Sequence, residues 1–219
     1  MEFIRKALVV LILSMAIVSG LAVVPFYGKV ATVEAGIVGK AAKAYLSSRL
    51  IKAMFINGSK FLRQRAADQF FAAVKREPSL APEALRMIQA FAKSPKITQH
   101  LSGPRGAELT SEIRTAIIRL KAWNKPSLPA GHPLKGTIDG LYRTPSNLAR
   151  VGSGNSADAL RYERMTGQLV GGKGHAQKVD DAITSIRGWL NKPQNVRPDQ
   201  AEYQSVKNVL DDLLNAAGR

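Results

Sequence analysis

The hydrophobic positions of this chain fall into several patterns, and the first is an unbroken apolar run. Residues 7–26 read ALVVLILSMAIVSGLAVVPF and carry no charge. A helix of twenty residues is about 30 Å long, which matches the hydrocarbon core of a bilayer. The run therefore predicts an N-terminal apolar helix within residues 1–26, either a cleaved signal peptide or an uncleaved transmembrane anchor. Arg5 and Lys6 precede the run and Lys29 follows it, so its orientation stays open.

A second pattern follows, in which apolar residues recur every three or four positions between basic ones. This spacing puts the apolar side chains on one face of a helix and indicates helix–helix packing. Residues 27–124 are therefore predicted to form a basic region of successive amphipathic helices, the third of them closed by Pro95. The predicted helices are 30–54, 60–77, 82–93 and 108–123. The apolar face predicted for the second is Phe61, Leu62, Ala66, Phe70, Ala73 and Val74.

Residues 125–150 interrupt the helical pattern. Four prolines and three glycines break any long element in this segment. They are Pro126, Pro129, Pro133, Pro145, Gly131, Gly136 and Gly140. The segment is predicted to be a linker with room for a short hairpin.

The last third, residues 151–219, predicts three amphipathic helices and a glycine-rich loop. Asn155 is a suitable N-cap for the first helix, with Asp158 three residues on, and Gly167 ends it. The third helix is expected to start at Pro198. The stripes expected to be buried are Val179, Ala182, Ile183, Ile186, Trp189 and Leu190 in the second helix, and Tyr203, Val206, Leu210, Leu213 and Ala217 in the third. The predicted fold class is therefore mainly α.

The charge of the chain is uneven, which narrows the choice of partners. The net charge is +16, and residues 27–150 contribute +14 of it, with twenty-one basic and seven acidic side chains. Such a basic surface favours an anionic partner: nucleic acid, anionic lipid or an acidic protein. The alternative is a solvated basic surface without a specific partner. A DNA-binding protein is disfavoured because the sequence has no helix-turn-helix or zinc-finger pattern.

No metal or cofactor site is predicted. The chain has no cysteine, which excludes disulfides and thiolate ligands. His100, His132 and His175 are scattered, without the H-x-x-x-H or H-E-x-x-H spacing of helical metal sites. The adjacent acids Asp180–Asp181 and Asp211–Asp212 diverge on a helix and are expected at the surface.

One stretch of the last third comes close to a phosphate-binding P-loop. Gly167, Gly172 and Lys173 have the spacing G-x-x-x-x-G-K. A P-loop needs a strand before it, and Ser or Thr after the lysine to hold magnesium. Here Gly174 follows the lysine and the preceding segment is predicted to be helical, so nucleotide binding is not predicted.

The same stretch has a second interpretation as an acid–base site. Glycines let backbone N–H groups approach an anion, and the N-terminus of a helix favours negative charge. His175 and Lys178 lie three apart on one helical face, where an imidazole can transfer protons and an ammonium can stabilise an anion. In the alternative, His175 caps the helix start and Lys178 lies in solvent.

The preceding helix offers partners for such a site in the motif RYER. Arg161 is suited to grip a phosphate, although it also lies three residues from Asp158 and can pair with it on the helix surface. Glu163 is suited to orient His175.

The order of motifs in the last third resembles a known family. The run GSGNSADALRYERMTGQLVGGKGHAQKVDDAITSIRGWLNK and the later NVLDDLLNAAG are similar to the bacterial polymorphic-toxin ribonuclease domain called toxin 28. The resemblance covers about residues 151–218, and its most specific part is ADA-x-RYE, then TG-x-x-VGG, then H-x-Q-K. Such domains form the C-terminal tips of contact-dependent inhibition toxins and related exported toxins. The resemblance implies a domain that cleaves RNA, tRNA in particular, and is neutralised by a cognate, acidic immunity protein.

The resemblance selects Arg161, Glu163, His175, Gln177 and Lys178, and neighbouring residues complete the candidate set. The candidate catalytic residues are His175, Glu163, Lys178 and Arg161. The candidate RNA- and phosphate-binding residues are Lys173, Gly172, Gln177 and Arg164. Metal-free RNA cleavage uses the neighbouring 2′-hydroxyl as nucleophile, so it needs a base, an acid and cations near the phosphate. The histidine is expected to be the base or acid, with Glu163 as its partner; Gly174 departs from the family, where a bulkier residue is expected.

These observations predict an exported or membrane-tethered antibacterial toxin with metal-independent endoribonuclease activity and no cofactor. Residues 7–26 would place it in the inner membrane or direct its export, and its target would be RNA in the cytoplasm of a recipient cell. In such toxins the toxin domain follows a very large carrier segment, whereas in this chain a short basic region precedes it. The alternative is a non-enzymatic, membrane-anchored adaptor whose basic helices bind anionic lipid or a protein partner.

Overall fold

A computed structural model of the chain describes residues 48–142, 151–197 and 200–219. Within these ranges the backbone forms helices joined by short turns, with no strand and two isolated β-bridges. The α-helices found there are α1 (Ser48–Ile56), α2 (Lys60–Arg76), α3 (Ala81–Ala92), α4 (Pro95–Leu101), α5 (Gly106–Lys121), α6 (Lys135–Leu141), α7 (Ser156–Thr166), α8 (Ala176–Leu190) and α9 (Ala201–Ala217). The predicted mainly α fold class is confirmed.

Several predictions fall outside the described residues. The apolar run 7–26 lies outside them, as do most of the predicted helix 30–54 and the predicted helix start at Pro198. Among the residues that are described, no helix is both long enough and apolar enough to cross a membrane. The signal peptide or anchor therefore stays a prediction.

The helices α1 to α5 share the first of two hydrophobic cores. On each helix, apolar residues three or four positions apart are buried in this core. The fully buried ones include Phe70, Val74, Ile88 and Ile97. Burying a side chain of this size stabilises a fold by about 1.5–3 kcal/mol. The helical periodicity of the basic region is therefore the spacing of a real packing surface.

One face of α2 differs from the face that the sequence predicts. Phe61 and Leu62 are 70% and 44% exposed, whereas Arg63 and Phe71 are buried. The Arg63 guanidinium donates to the Glu108 carboxylate at 3.0 Å, and a paired, hydrogen-bonded arginine can be buried. The apolar pattern alone placed the buried face too far round the helix, because it does not encode this ion pair.

Two short helices were not predicted. Helix α3 ends at Ala92, before Pro95 as predicted, but Pro95 is also the first residue of the unpredicted α4, where its missing N–H costs nothing. Residues 125–150 were expected to form a linker with a hairpin, but α6 lies within them, and its Ile138 and Leu141 are buried in the second core. Residues 143–150 lie outside the described residues.

The second core joins α6 to the three helices of the last third. All six residues of the stripe predicted for α8 are buried. In α9, Val206, Leu210 and Leu213 are buried as predicted, and Tyr203 and Ala217 pack against the same cluster while partly exposed. The three helices predicted for the last third are thus present, with their apolar faces packed together.

Polar contacts connect the basic region to the last third. Helix α5 packs against α9, and the Asn215 amide donates to the Thr115 hydroxyl at 3.1 Å. The Arg119 guanidinium lies 3.7 Å from the centre of the Phe71 ring and donates to the Asp158 carboxylate at 2.9 Å. The position of α7 therefore depends on residues of α5, which lies outside the last third.

Candidate functional site

The site is built on α7, and the start of this helix is fixed by side chains. The Asn155 side chain accepts a hydrogen bond from the Asp158 N–H at 2.8 Å, so the predicted N-cap is confirmed. The Asp158 carboxylate in turn accepts the Ser153 N–H at 2.7 Å. Gly152 has φ +50, and a Cβ there would come within 2.1 Å of that carboxylate. Gly167 ends the helix in the left-handed conformation, as predicted.

A single carboxylate on α7 holds both the histidine and the glycine-rich loop. Glu163 Oε1 lies 2.7 Å from His175 Nδ1, and Oε2 accepts the backbone N–H of His175 at 2.9 Å. Glu163 Oε1 also accepts the Val170 N–H at 3.1 Å. The side chains of His175 and Glu163 are 6% and 10% exposed. The imidazole is therefore fixed in direction and largely withdrawn from water.

The charge of Glu163 decides which ring nitrogen carries the proton. Burial raises the pKa of Glu163, but hydrogen bonds from the His175 ring and from two backbone N–H groups outweigh it, so the pKa lies below its ordinary value of 4.5. An ionised carboxylate only accepts hydrogen bonds, so Nδ1 of the neutral imidazole must be the donor. Nε2 then keeps its lone pair and can accept a proton.

His175 is one of the residues that line a very small cavity. His175 is the N-cap residue of α8, but its side chain makes no capping hydrogen bond, unlike the alternative weighed from the sequence. The cavity has a volume of about 10 Å³, the lower limit for a single water, and Val151 and Val170 also line it. A short turn follows Val170, with Gly171 and Gly172 at φ +65 and +72. A ligand larger than water therefore requires movement at this surface.

Arg161 is engaged on the opposite side of α7. Two residues apart on a helix correspond to about 200°, so Arg161 and Glu163 face opposite directions. The Arg161 guanidinium donates to Asp158 at 3.1 Å, to the Asp212 carboxylate at 2.6 Å and to the Asn215 amide oxygen at 2.8 Å. The structure does not bring Arg161 to the histidine, and its pair with Asp158 is buried rather than on the surface.

Asp158 and Asp212 share this arginine but differ in pKa. Burial raises the pKa of Asp158, but Arg119, Arg161 and hydrogen bonds from Ser153 overcome it and hold the pKa at about 2. For Asp212 burial dominates, and its pKa is raised despite Arg161.

The burial of Asp212 corrects the expectation that it lies at the surface. Only 1% of the residue is exposed, and its carboxylate accepts the Asn155 amide at 3.0 Å. A signal was present in the sequence, because Asp212 lies three residues after Val209 and four before Ala216, on the buried stripe of α9. The ion pair between Arg119 and Asp158 had no such signal in the sequence, because the two residues are 39 positions apart in the chain.

The other residues selected from the sequence are exposed. Lys173 and Lys178 lie at the surface on either side of the histidine in the chain. The Gln177 amide donates to Asp181 at 2.8 Å, within α8. Arg164 donates to a backbone carbonyl near the end of α9 at 2.7 Å. Of the predicted catalytic set, the structure thus joins His175 and Glu163 by a direct contact.

These features define a helical protein with a buried histidine–carboxylate pair beside an internal ion network. In the part of the chain that the structure describes, no three His, Cys, Asp or Glu side chains cluster as a metal site would require. No family model, no curated protein and no solved structure matches the chain. The toxin 28 resemblance therefore stays a prediction made from the sequence.

Proposed function

We propose that this chain is a metal-independent endoribonuclease that acts on RNA, tRNA in particular, as an exported or membrane-tethered antibacterial toxin. The observation that carries the proposal is the 2.7 Å contact between Glu163 Oε1 and His175 Nδ1. It gives an imidazole whose Nδ1 is held by a carboxylate and whose Nε2 is left to transfer a proton. The toxin 28 motif order around these two residues supplies the reaction and the cognate acidic immunity protein.

The reaction is an internal transesterification. His175 Nε2 accepts the proton of a ribose 2′-hydroxyl, the 2′-oxygen forms a bond to the adjacent phosphorus, and the bond from phosphorus to the 5′-oxygen breaks. The leaving 5′-oxygen takes a proton from water or from the imidazolium. Glu163 keeps the hydrogen bond from Nδ1 during this transfer, so the ring keeps one orientation. The products are a 2′,3′-cyclic phosphate and a 5′-hydroxyl.

Two exposed lysines flank the histidine in the chain. Lys178 lies one turn into α8 and Lys173 lies in the glycine turn, and both are exposed. We assign the stabilisation of the pentavalent phosphorus to these lysines. Arg161 is assigned to the support of α7, because its guanidinium is bound to Asp158 and Asp212.

The first experiment expresses the full chain in bacterial cytosol and then assays the purified protein on tRNA. His175→Ala should lower the rate of cleavage by about 10²–10⁴-fold, the usual effect of removing a proton-transfer group. His100→Ala is the matched control, because it removes an exposed imidazole on α4 and should leave the rate unchanged.

Because His175 is buried, a loss of activity in His175→Ala can come from misfolding as well as from loss of the imidazole. A second measurement therefore tests the mechanism in the unaltered chain. The unaltered chain is offered the same RNA with every 2′-hydroxyl methylated, which removes the nucleophile. Cleavage of this RNA, or full activity of His175→Ala, would contradict the proposal. Products ending in a 2′,3′-cyclic phosphate would support it.

A second candidate is the membrane-anchored adaptor, and one surface favours it. A groove of about 800 Å³ runs between α5 and α9, with Ile117 and Leu214 in its floor. Arg114 and Lys121 lie along it, while Lys207 pairs with Asp211 at 2.8 Å in the same groove, so its net positive charge suits an acidic partner. Growth arrest without RNA damage, unchanged by His175→Ala, would favour this adaptor over the ribonuclease.

A further inference from the structure

The groove between α5 and α9 is lined on one side by a single face of α5. The central members of this face are Arg114, Ile117, Ile118 and Lys121. They follow one another at three- and four-residue intervals, so they lie on the same side of the helix. The two basic residues are seven positions apart, which is about 10 Å along a helix axis. The α5 side of the groove therefore has an apolar middle with a cation at each end.

The α9 side of the groove has a similar spacing. Lys207, Asp211 and Leu214 are four and three residues apart and line the groove. Lys207 donates to the Asp211 carboxylate at 2.8 Å, so this pair adds no net charge. Leu101, the last residue of α4, also lines the groove and is 36% exposed. Apolar side chains from three helices are therefore partly exposed in one groove.

The excess charge of the groove is positive. Within the described ranges, no ion pair is found for Arg114 or Lys121, and both side chains are exposed. Arg219 lines the groove as well, but its guanidinium pairs with Asp180 at 2.8 Å. The two cations of α5 therefore remain to pair with a ligand, and carboxylates at a matching distance would complement them.

An amphipathic helix complements these features. Such a helix lays its apolar face in an apolar groove through residues three, four and seven positions apart, the intervals found on both sides of this groove. A planar lipid surface supplies anionic charge but no side chains to fill the groove. A second copy of this chain carries a net charge of +16 and would bring like charge to the same cations. The features therefore favour an acidic helix from another protein.

We propose that the groove between α5 and α9 binds an acidic amphipathic helix of a protein partner. The apolar face of that helix packs on Ile117, Ile118 and Leu214, and its carboxylates pair with the two cations of α5. The proposal does not depend on the ribonuclease activity, since neither His175 nor Glu163 lines the groove.

A helix bound in this groove also joins the two hydrophobic cores, because α5 contributes to the first and α9 to the second. Asn215 lines the groove at their junction, where its amide donates to Thr115 at 3.1 Å and its oxygen accepts from Arg161 at 2.8 Å. A partner that contacts both helices of the folded chain should therefore raise its free energy of unfolding.

The probe for this groove is a fluorescent helical peptide of about eighteen residues, with leucines at three- and four-residue intervals on one face and glutamates bordering that face. The full chain is held in nanodiscs of phosphatidylcholine, which provide a bilayer for the apolar run 7–26, and empty nanodiscs are the blank. Fluorescence anisotropy measures binding over a range of salt concentrations. The peptide should bind, whereas a peptide of the same composition in scrambled order should not.

Substitutions in the groove separate the effect of charge from that of apolar contact. Arg114→Ala combined with Lys121→Ala should weaken binding about three- to tenfold and reduce its salt dependence. Ile118→Asn should weaken binding about tenfold, because it places a polar amide against the apolar face of the peptide. The matched control is Lys52→Ala combined with Arg65→Ala, which removes two exposed cations of α1 and α2 and should leave the affinity unchanged.

Four outcomes would overturn the proposal. The unaltered chain does not bind the peptide, or it binds the scrambled peptide equally well. The two double variants lose affinity equally, which would mean that net charge alone attracts the peptide. Vesicles of phosphatidylglycerol displace the peptide, which would assign the groove to lipid. Each outcome is independent of whether tRNA is cut, so this proposal and the ribonuclease fail separately.

Discussion

Glu163 is the residue on which the candidate site depends most. It accepts the backbone N–H groups of Val170 and His175 as well as the contact with the imidazole. These hydrogen bonds are made to a charged acceptor, and such bonds are stronger than neutral ones. Removing the charge should therefore loosen both the loop and the ring.

The pH dependence of stability follows from the lowered pKa of Glu163. Its pKa is below the ordinary 4.5 in the folded protein, so the ionised form stabilises the fold above about pH 4.5. This stabilisation is lost as pH falls through the folded pKa. The measurement is the free energy of unfolding in urea, at a series of pH values, for the unaltered chain and for Glu163→Gln.

The titration of Asp158 and Asp212 is common to both proteins, so it cancels in the difference between them. We expect the difference to shrink as the solution is acidified below about pH 4.5. A difference that grows on acidification would mean that the Glu163 pKa is raised, contrary to the geometry.

Among the elements, α7 has the best-defined start. The Asn155 side chain caps the helix through its oxygen and donates through its amide to the buried Asp212. Neither α8 nor α9 has a side-chain cap at its N-terminus. One amide thus positions α7 and joins it to α9.

We expect Asn155→Ala to lower the free energy of unfolding by about 2–4 kcal/mol. Loss of an N-cap costs about 0.5–2 kcal/mol, and leaving a buried acceptor without its donor costs about 1–3 kcal/mol. Gln200→Ala is the control, since Gln200 is the N-cap residue of α9 and makes no capping bond. Equal losses for the two variants in urea unfolding would contradict this role of Asn155.

For the whole molecule, the ion network decides whether the two cores unfold together. Arg119 joins α5 to α7 through Asp158, and it covers the Phe71 ring of the first core. Trp123 lies in the first core and Trp189 in the second, so each core has its own fluorescent reporter. Trp123→Phe and Trp189→Phe variants can therefore follow the cores separately.

We expect the two reporters to show one shared unfolding transition in the unaltered sequence. Arg119→Ala should lower stability by about 2–3 kcal/mol, below the usual range for a buried pair because Arg119 is 20% exposed and Asp158 keeps Arg161. It should also separate the two transitions. Arg114→Ala, on the exposed face of α5, should change stability by no more than about 0.5 kcal/mol. Coincident transitions in Arg119→Ala would show that apolar packing alone couples the cores.

The sequence by itself determined where most of the amphipathic helices form, because apolar residues at helical spacing favour a helix that buries them. In α2 the buried face nevertheless differs from the predicted one. The stripe of α8, the Asn155 cap and the stop at Gly167 could all be read locally. The order of the sequence motifs suggested that Glu163 lies beside His175. Only the folded structure shows the contact itself, between Glu163 Oε1 and His175 Nδ1.

Only the tertiary structure decided which polar residues became internal. Arg63 and Asp212 are charged, and the partners Glu108 and Arg161 that allow their burial lie 45 and 51 residues away in the chain. The reason is physical: apolar burial depends on a residue's own side chain, whereas burial of a charge depends on a partner brought from elsewhere in the chain. The groove between α5 and α9 has the same origin, since its two sides come from helices far apart in the sequence.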